Sequence, residues 1–253
     1  MQTSSSSAKG VILITGASSG LGMGMAREFS KRGYDLALCA RRLDALNELK
    51  AELTGTRVEV AALDVTDHAA VFETFRHFRQ QFGELDKIIV NAGIGAGAPI
   101  GKGGFEQNRA TLDVNLIAAL AQAEAAMEIF RDQNKGHLVF MSSLSAIRGM
   151  RGQMTSYAAS KAGLAHLAEG LRLETLHKPI TVTTLMPGYI KSEMTAGQDA
   201  AKTPFIIDGV KGARLLADAV ESGRAEATIP RWPWTVVRGI MRMSPLWLLR
   251  RMN

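Results

Sequence analysis

The sequence predicts an α/β fold of the doubly wound kind: a single domain with one parallel sheet of about seven strands and helices on both faces. Short apolar runs rich in β-branched residues alternate with helix-length segments along the chain. Strands that are apolar on both faces are typical of parallel sheets covered by helices on both sides. The 253 residues show no internal repeat and no Pro/Gly/Ser-rich linker that would divide them.

The elements follow from these runs in chain order. The predicted strands are residues 11–15, 35–40, 57–63, 87–90, 137–142, 181–186 and 226–229. The predicted helices lie near residues 20–32, 43–53, 67–82, 105–131, 155–177 and 208–222. We therefore expect a flexible N-terminal tail over residues 1–9, the sheet domain over 10–229 and a C-terminal extension over 230–253.

Composition narrows the class of protein. The formal net charge is +6, but residues 224–253 hold six arginines and one acidic residue, Glu226. A nearly neutral domain with a basic tail does not indicate a nucleic-acid partner. The polar N-terminus lacks the long apolar segment of a signal peptide, and no apolar run reaches the roughly 18 residues of a membrane-spanning helix. The lone Cys39 cannot form an intrachain disulfide, so we expect a cytoplasmic protein.

In a doubly wound sheet, ligands bind beyond the carboxyl ends of the strands. The first predicted strand runs into "TGASSGLG", residues 15–22. Gly16, Gly20 and Gly22 permit a tight turn and a close approach of backbone to a phosphate, and the following helix start offers free N–H groups to a pyrophosphate. The spacing G-x-x-x-G-x-G departs from the usual dinucleotide fingerprint, yet its place between strand and helix favours dinucleotide binding.

The second predicted strand ends at Arg41 and Arg42. Enzymes that use the non-phosphorylated cofactor place an acidic residue here, whereas guanidinium groups suit a 2′-phosphate. We therefore predict NADP(H); the alternative is a solvated helix start.

Polar and small residues also follow the third and fourth strands. Asp64 could accept a hydrogen bond from an adenine amino group or cap the next helix, although Asp67 is the better capping candidate. Asn91, Ala92 and Gly93 bring backbone to the same edge of the sheet.

Together, "TGASSGLG", "NAG", the serine pair at 142–143, "YAASK" at 157–161 and "PGYIKS" at 187–192 resemble the short-chain dehydrogenase/reductase family over residues 10–225. The resemblance implies a Rossmann-type catalytic domain, hydride transfer between NADP(H) and a small carbonyl or alcohol substrate that could be lipophilic, and a homodimer or homotetramer. The implied cofactor-binding residues are Gly16, Ser18, Ser19, Gly20, Leu21, Gly22, Arg41, Arg42, Asp64, Val65, Asn91, Ala92, Gly93, Tyr157, Lys161, Pro187, Gly188, Ile190 and Ser192.

The resemblance also implies a catalytic set of Asn115, Ser143, Tyr157 and Lys161. Tyr157 and Lys161 share a helical face at i and i+4. Tyrosine ionises near pH 10, about three units above neutrality, and we expect Lys161 and a positive nicotinamide to lower that pKa so that Tyr157 can serve as general acid and base.

Two members of this set carry alternatives. Ser143 would hydrogen-bond the substrate oxygen, but it precedes the tyrosine by 14 residues where the family commonly has 13, and Ser145 is the alternative. Asn115 would hold a water that passes protons to Lys161; the alternative is a polar surface position.

The rest of the chain offers fewer signals. Pro187, Gly188, Ile190 and Ser192 would lie beside the nicotinamide, and a mobile lid over residues 195–205 would cover the substrate. Residues 94–104 and 144–154 would complete the substrate site. The five histidines have no neighbouring ligands, so we predict no metal site.

The C-terminal extension contains all three tryptophans of the chain. Two of its arginines, Arg238 and Arg242, lie on one helical face. Ser244 is the expected N-cap of a short final helix, with Pro245 at its first position. Such a segment suits peripheral contact with a membrane interface through residues 231–251, packing on a neighbouring subunit, or packing over the lid. Two other functions stay open: a non-catalytic NADP-binding scaffold or redox sensor, and, more narrowly, an epimerase.

Overall fold

The computed structural model describes residues 8–95, 97–195, 203 and 205–252. The strands are β1 (Val11–Thr15), β2 (Asp35–Ala40), β3 (Val58–Ala62), β4 (Lys87–Val90), β5 (Gly136–Met141), β6 (Ile180–Pro187) and β7 (Glu226–Ile229). The helices are α1 (Gly20–Lys31), α2 (Leu43–Glu52), α3 (His68–Phe82), α4 (Phe105–Leu112), α5 (Ala118–Gln133), α6 (Met154–Thr175), α7 (Gly209–Glu221), α8 (Arg231–Met243) and α9 (Leu246–Met252). All seven predicted strands are present, with bounds within a residue of those expected.

The seven strands form one sheet in the order β3-β2-β1-β4-β5-β6-β7. Every neighbouring pair is parallel. The doubly wound fold is therefore confirmed as a single Rossmann-like domain. The strand order reverses between β1 and β4, and a crevice opens at such a switch point beyond the carboxyl ends of the strands.

Both faces of the sheet are covered, which explains why the central strands have no polar face. Leu13 of β1 packs into a core on one face with Phe75 of α3 and Phe130 of α5. Its neighbours Ile12 and Ile14 pack into the other core, with α1, α2 and α7. Successive strand residues point to opposite faces, so a sheet buried on both sides requires apolar residues at consecutive positions.

One of three predictions about the helices is confirmed, and two differ from the structure. Asp67 caps α3 by accepting a hydrogen bond from the Ala70 backbone N–H at 3.0 Å, as predicted. The single helix expected over residues 105–131 is interrupted by a π-helical segment, Asp113–Ile117. Ser244 does not cap α9: its hydroxyl donates to the Ile240 carbonyl at 2.7 Å, and it lies at the end of α8.

Two predicted segments fall partly outside the described residues. Residues 1–7 of the expected tail do so, while the Lys9 backbone N–H donates to the Gly33 carbonyl at 3.0 Å. Residues 196–202 and 204 of the expected lid also lie outside the described part. Among the described helices, none is both long and apolar enough to cross a membrane.

Candidate active site

The glycine-rich turn after β1 needs its glycines. Gly16 and Gly20 have φ values of +66° and +54°, a left-handed conformation that favours glycine. A Cβ on Gly22 would collide with the Gly16 carbonyl oxygen. Helix α1 begins at Gly20, with Ser19 at the N-cap position, so its first N–H groups lie at the crevice. This turn is a cradle of bare backbone at a helix N-terminus, and it suits a pyrophosphate.

A hydrogen-bond network that the sequence did not reveal holds this turn against β4. The Thr15 hydroxyl accepts hydrogen bonds from the backbone N–H groups of Asn91 at 3.0 Å and Ala92 at 3.1 Å. The Asn91 side-chain amide donates to the Thr15 carbonyl at 2.9 Å. Asn91 therefore fixes the glycine-rich turn with its side chain, in addition to bringing its backbone to the crevice.

The two arginines after β2 differ in their surroundings. Arg42 donates from Nε to the Ser18 hydroxyl and from Nη2 to the Ser18 carbonyl, each at 3.3 Å, and forms an ion pair with Glu193 at 3.2 Å. Arg41 is exposed. Both positive charges and the Ser18 hydroxyl thus lie near the carboxyl end of β2, at the edge of the crevice.

Asp64 follows β3 at the same edge of the sheet. Its Oδ1 accepts hydrogen bonds from the Thr66 backbone N–H at 3.0 Å and the Thr66 hydroxyl at 2.8 Å. These bonds, with the nearby Arg41 charge, hold the pKa of Asp64 below its usual range. The carboxylate is therefore ionised and can accept a hydrogen bond from a ligand; Val65 beside it is buried.

Lys161 is deeply buried in α6, with 4% of its surface exposed. Its ammonium donates to the Met141 carbonyl at 2.8 Å, at the end of β5, and lies 5.8 Å from the centroid of the Tyr157 ring. Burial lowers the pKa of Lys161 to about 8. A Cβ on Gly93 would lie 3.0 Å from Asn115 Oδ1 and 3.4 Å from Lys161 Nζ, so the glycine after β4 lies against both side chains.

Asn115 lies in the π-helical segment and is 1% exposed, which contradicts the alternative of a polar surface position. Its Oδ1 accepts from the Ile94 N–H at 2.8 Å, and its Nδ2 donates to the Ile94 carbonyl at 2.8 Å and the Ser160 hydroxyl at 3.2 Å. The side chain thus ties the helical segment to the loop after β4, close to Lys161. Short π-helical segments inside α-helices are frequent at functional sites.

Tyr157 and the two candidate serines are adjacent. The Ser145 hydroxyl donates to the Ser143 hydroxyl at 2.9 Å, and Ser143 lines the same cavity as Tyr157 and acts to lower the pKa of its phenol. Ser143 is therefore the serine next to the phenol, and Ser145 orients it.

In the chain by itself the pKa of Tyr157 is raised, and the lowering expected from Lys161 together with a positive nicotinamide stays a prediction. Burial of the phenol raises the pKa, and the nearby Ser143 hydroxyl opposes this only in part. The Lys161 ammonium donates its hydrogen bond to the Met141 carbonyl. The phenol is therefore neutral at pH 7 and can donate a proton.

The loop after β6 forms the other wall of the crevice. Pro187 ends the strand, and the Gly188 N–H donates to the Ile229 carbonyl at 2.8 Å. A Cβ on Gly20 would lie 3.6 Å from Ser192 Cβ, so the glycine-rich turn and this loop face each other closely. Ile190 is buried and pairs with Ile207.

A cavity of about 360 Å³ lies at this point and is lined by Ser143, Tyr157 and Gly188 together with Leu21, Ile190 and Ser192. The C-terminal extension covers it: Trp234, Val237 and Met241 of α8 and Leu249 of α9 are also lining residues. The Trp234 ring packs edge-on against Tyr189, at a centroid distance of 5.6 Å.

The inner face of the extension thus packs over the site, which agrees with the alternative that placed the extension over the substrate lid. Its outer face, with Trp232 and Met243, is exposed. Among the described residues, no group of three or more His, Cys, Asp or Glu side chains could hold a metal ion.

Comparisons with known proteins agree with this geometry. A family model described as short chain dehydrogenase matches residues 10–203. An uncharacterized oxidoreductase of Mycobacterium tuberculosis is 48% identical over 244 residues, which is 95% of this chain and 96% of that protein.

Two solved structures are similar in fold and sequence. Levodione reductase has a TM-score of 0.78 and 25% identity over 87% of this chain and 95% of its own. An alcohol dehydrogenase of the archaeon Thermococcus sibiricus, complexed with 5-hydroxy-NADP, has a TM-score of 0.77 and 25% identity over the same shares. The chain thus belongs to the short-chain dehydrogenase family of oxidoreductases.

Proposed function

We propose that the protein is an NADP(H)-dependent carbonyl reductase or alcohol dehydrogenase, with Tyr157 as its general acid and base. The observation that supports this most is that the Tyr157 phenol and Ser143 line one cavity, while the buried Lys161 ammonium lies 5.8 Å from the centroid of the Tyr157 ring. A phenol next to a serine hydroxyl suits proton exchange with a carbonyl or alcohol oxygen.

The crevice fits a dinucleotide along its length. The glycine-rich turn, residues 16–22, would hold the pyrophosphate, since α1 begins at Gly20 and no side chain caps its first N–H groups. Asp64 and Val65 would contact the adenine, Asn91 to Gly93 the neighbouring ribose, and Pro187, Gly188, Ile190 and Ser192 the nicotinamide end. A bound nicotinamide supplies the hydride in reduction and accepts it in oxidation.

The chain's own residues handle the proton. In reduction, Tyr157 donates its phenolic proton to the carbonyl oxygen as negative charge develops there, and the Ser143 hydroxyl donates a hydrogen bond to the same oxygen. Lys161 stabilises the resulting phenolate and can return a proton to it, because its pKa of about 8 lies close to neutral pH. Asn115 fixes the loop beside Lys161. In oxidation the phenolate takes the alcohol proton.

The preference for the 2′-phosphate depends on the arginines after β2. We expect NADPH to bind more tightly than NADH, and Arg41→Ala and Arg42→Ala each to weaken NADPH binding roughly 10-fold or more, because a hydrogen bond to a charged group contributes about 1.5–3 kcal/mol. NADH has no 2′-phosphate, so its affinity should change little. Titration of the cofactor's fluorescence measures both dissociation constants.

The matched control is Arg131→Ala, which removes an exposed arginine paired with Glu174 on another surface. It should leave both affinities unchanged. Equal affinity for NADPH and NADH, unaffected at Arg41 and Arg42, would contradict the 2′-phosphate role, and binding of neither cofactor would contradict the proposed function.

For partners, we propose a homodimer or homotetramer. A groove of about 720 Å³ between α4 and α6 is lined by exposed Ile100, Phe105 and Ile117, and a second copy of the chain would cover these side chains.

A further inference from the structure

We propose that the C-terminal extension determines substrate specificity: α8 and α9 form an apolar wall that selects an uncharged ketone or secondary alcohol with a bulky hydrocarbon body, and Arg148 positions this wall. The inference rests on the proposed function, because it names the substrate class of that same site. It depends on residues that lie outside the motifs shared with the family.

The wall is built from one face of the extension. Trp234, Val237 and Met241 line the cavity at successive turns of α8, and Leu249 of α9 closes it. Trp234 is 6% exposed, and its indole N–H has no hydrogen-bond partner in the described part of the chain. A Cβ on Gly188 would lie 2.5 Å from this indole, so the tryptophan rests directly on the loop that the nicotinamide would contact.

The opposite walls are also apolar. Leu144, Met150 and Met154 come from the segment after β5, and Met194 and Phe205 from the loop after β6. No Asp, Glu, Lys or Arg is among the described residues that line the cavity. Among these described residues an ionised substrate would lose its hydration without gaining a charged partner, which is costly, whereas a hydrocarbon body gains about 0.8 kcal/mol for each buried methylene. The four methionine side chains can adapt to different shapes, so we expect several apolar bodies to be accepted.

Arg148 attaches the wall to the segment that carries Ser143. Its Nη1 donates toward the carbonyl oxygens of Met241 at 3.0 Å, Arg242 at 3.1 Å and Ser244 at 2.9 Å. These carbonyls belong to the end of α8, where the last turn of a helix lacks backbone donors and a positive charge is favourable. Arg148 thus caps α8 and fixes the distance between the wall and the catalytic serine.

Three probe ketones test the substrate class: cyclohexanone, 4-tert-butylcyclohexanone and 4-oxocyclohexanecarboxylate. With NADPH we expect kcat/KM for the tert-butyl compound to exceed that for cyclohexanone by roughly 10-fold or more, since its four extra carbons are buried. The carboxylate should react more slowly than cyclohexanone. Equal kcat/KM for the tert-butyl compound and the carboxylate would overturn the inference.

Two neighbouring valines of α8 provide a matched pair for the wall itself. Val237 lines the cavity, whereas Val236 is exposed on the outer face. Val237→Phe should raise KM for 4-tert-butylcyclohexanone roughly 10-fold, because overfilling a packed site costs about 1–3 kcal/mol, and should leave KM for cyclohexanone nearly unchanged. Val236→Phe should change neither. Val237→Ala, which enlarges the cavity, provides a second variant if the phenylalanine impairs folding. Indistinguishable effects at the two positions would overturn the inference.

The positioning role of Arg148 has its own test. Arg148→Ala should raise KM for the tert-butyl compound while kcat for cyclohexanone is retained, and Arg148→Lys, which keeps the positive charge, should recover part of the loss. Arg151→Ala, an exposed arginine on the same segment, is the control. An equal loss of kcat for both ketones would contradict a role in positioning the wall.

Failure of this inference can be distinguished from failure of the proposed function. Quenching of tryptophan fluorescence measures the affinity for 4-tert-butylcyclohexanone without any turnover. This affinity should be weaker in Val237→Phe and unchanged in Val236→Phe. If NADPH and the ketone both bind but the ketone is not reduced, the proposed function is contradicted, while the role of the extension in selecting apolar ligands is supported. If ketones are reduced without the expected selectivity, the role of the extension in substrate selection is contradicted, while the proposed function is supported.

Discussion

Tyr157→Phe is expected to lower kcat for ketone reduction roughly 10²- to 10⁴-fold, the usual contribution of a positioned general acid. The substitution removes a single oxygen and leaves the ring in place. Because we propose the phenol as the proton donor, the loss should appear in kcat, while the dissociation constant of NADPH changes little. Steady-state kinetics with 4-tert-butylcyclohexanone and a fluorescence titration of NADPH measure the two quantities on the same preparation.

The chain offers a matched control in a second tyrosine of the same cavity. Tyr189 lines the cavity and packs against Trp234. Tyr189→Phe makes the same chemical change in the same cavity and should keep kcat within a few-fold of the wild type. Retained turnover in Tyr157→Phe, or an equal loss in both variants, would show that the phenol of Tyr157 is not the acid.

Lys161→Met is expected to abolish most turnover and, at the same time, to stabilise the protein at pH 7. Burial lowers the pKa of Lys161 from 10.5 to about 8, which corresponds to a destabilisation of about 3 kcal/mol while the group is charged. The variant also loses the hydrogen bond to the Met141 carbonyl, so the net gain should be about 1–2 kcal/mol. A buried charge that lowers stability is expected at a functional site, because there it can bind a ligand or take part in catalysis.

The contribution of Lys161 to the free energy of unfolding should depend on pH in a definite direction. Between the folded pKa of about 8 and the unfolded value of 10.5, the unfolded chain binds more protons than the folded one at this residue. The contribution of Lys161 to the free energy of unfolding should therefore rise with pH above about 8, and the penalty should be fully present below it. Above pH 10 the raised pKa of Tyr157 acts in the opposite direction.

Urea denaturation of the wild type and Lys161→Met at pH 7, 8, 9 and 10 measures this contribution as a difference, which cancels the other titrating groups. The gain from the substitution should be largest at pH 7 and decline toward pH 10. Lys50→Met, at an exposed lysine paired with Glu59, should give a difference that is nearly constant. A variant less stable than the wild type at every pH would contradict the account of Lys161.

Local signals sufficed for the sheet and for one end of the site. Each strand is a short apolar run bounded by polar or glycine residues, so its bounds can be read from neighbouring positions. The same holds for Gly16 and Gly22 in the turn after β1 and for Asp67 at the start of α3.

Other features arise from contacts between distant parts of the chain. Asn91 meets Thr15 across 76 positions, and Arg148 meets Met241 across 93. No local pattern indicates such partners. The raised pKa of Tyr157 has the same origin, since it depends on how deeply several separate segments bury the phenol.

Transfer of deuterium tests the central claim most directly. Wild-type protein would be incubated with 4-tert-butylcyclohexanone and NADPH deuterated at nicotinamide C4, using each of the two diastereomers in turn, and the alcohol analysed by mass spectrometry. The account predicts deuterium on the carbinol carbon from one diastereomer only, and formation of labelled alcohol that is roughly 10²- to 10⁴-fold slower with Tyr157→Phe. Failure of the wild type to form labelled alcohol from either diastereomer, although NADPH binds, would contradict it.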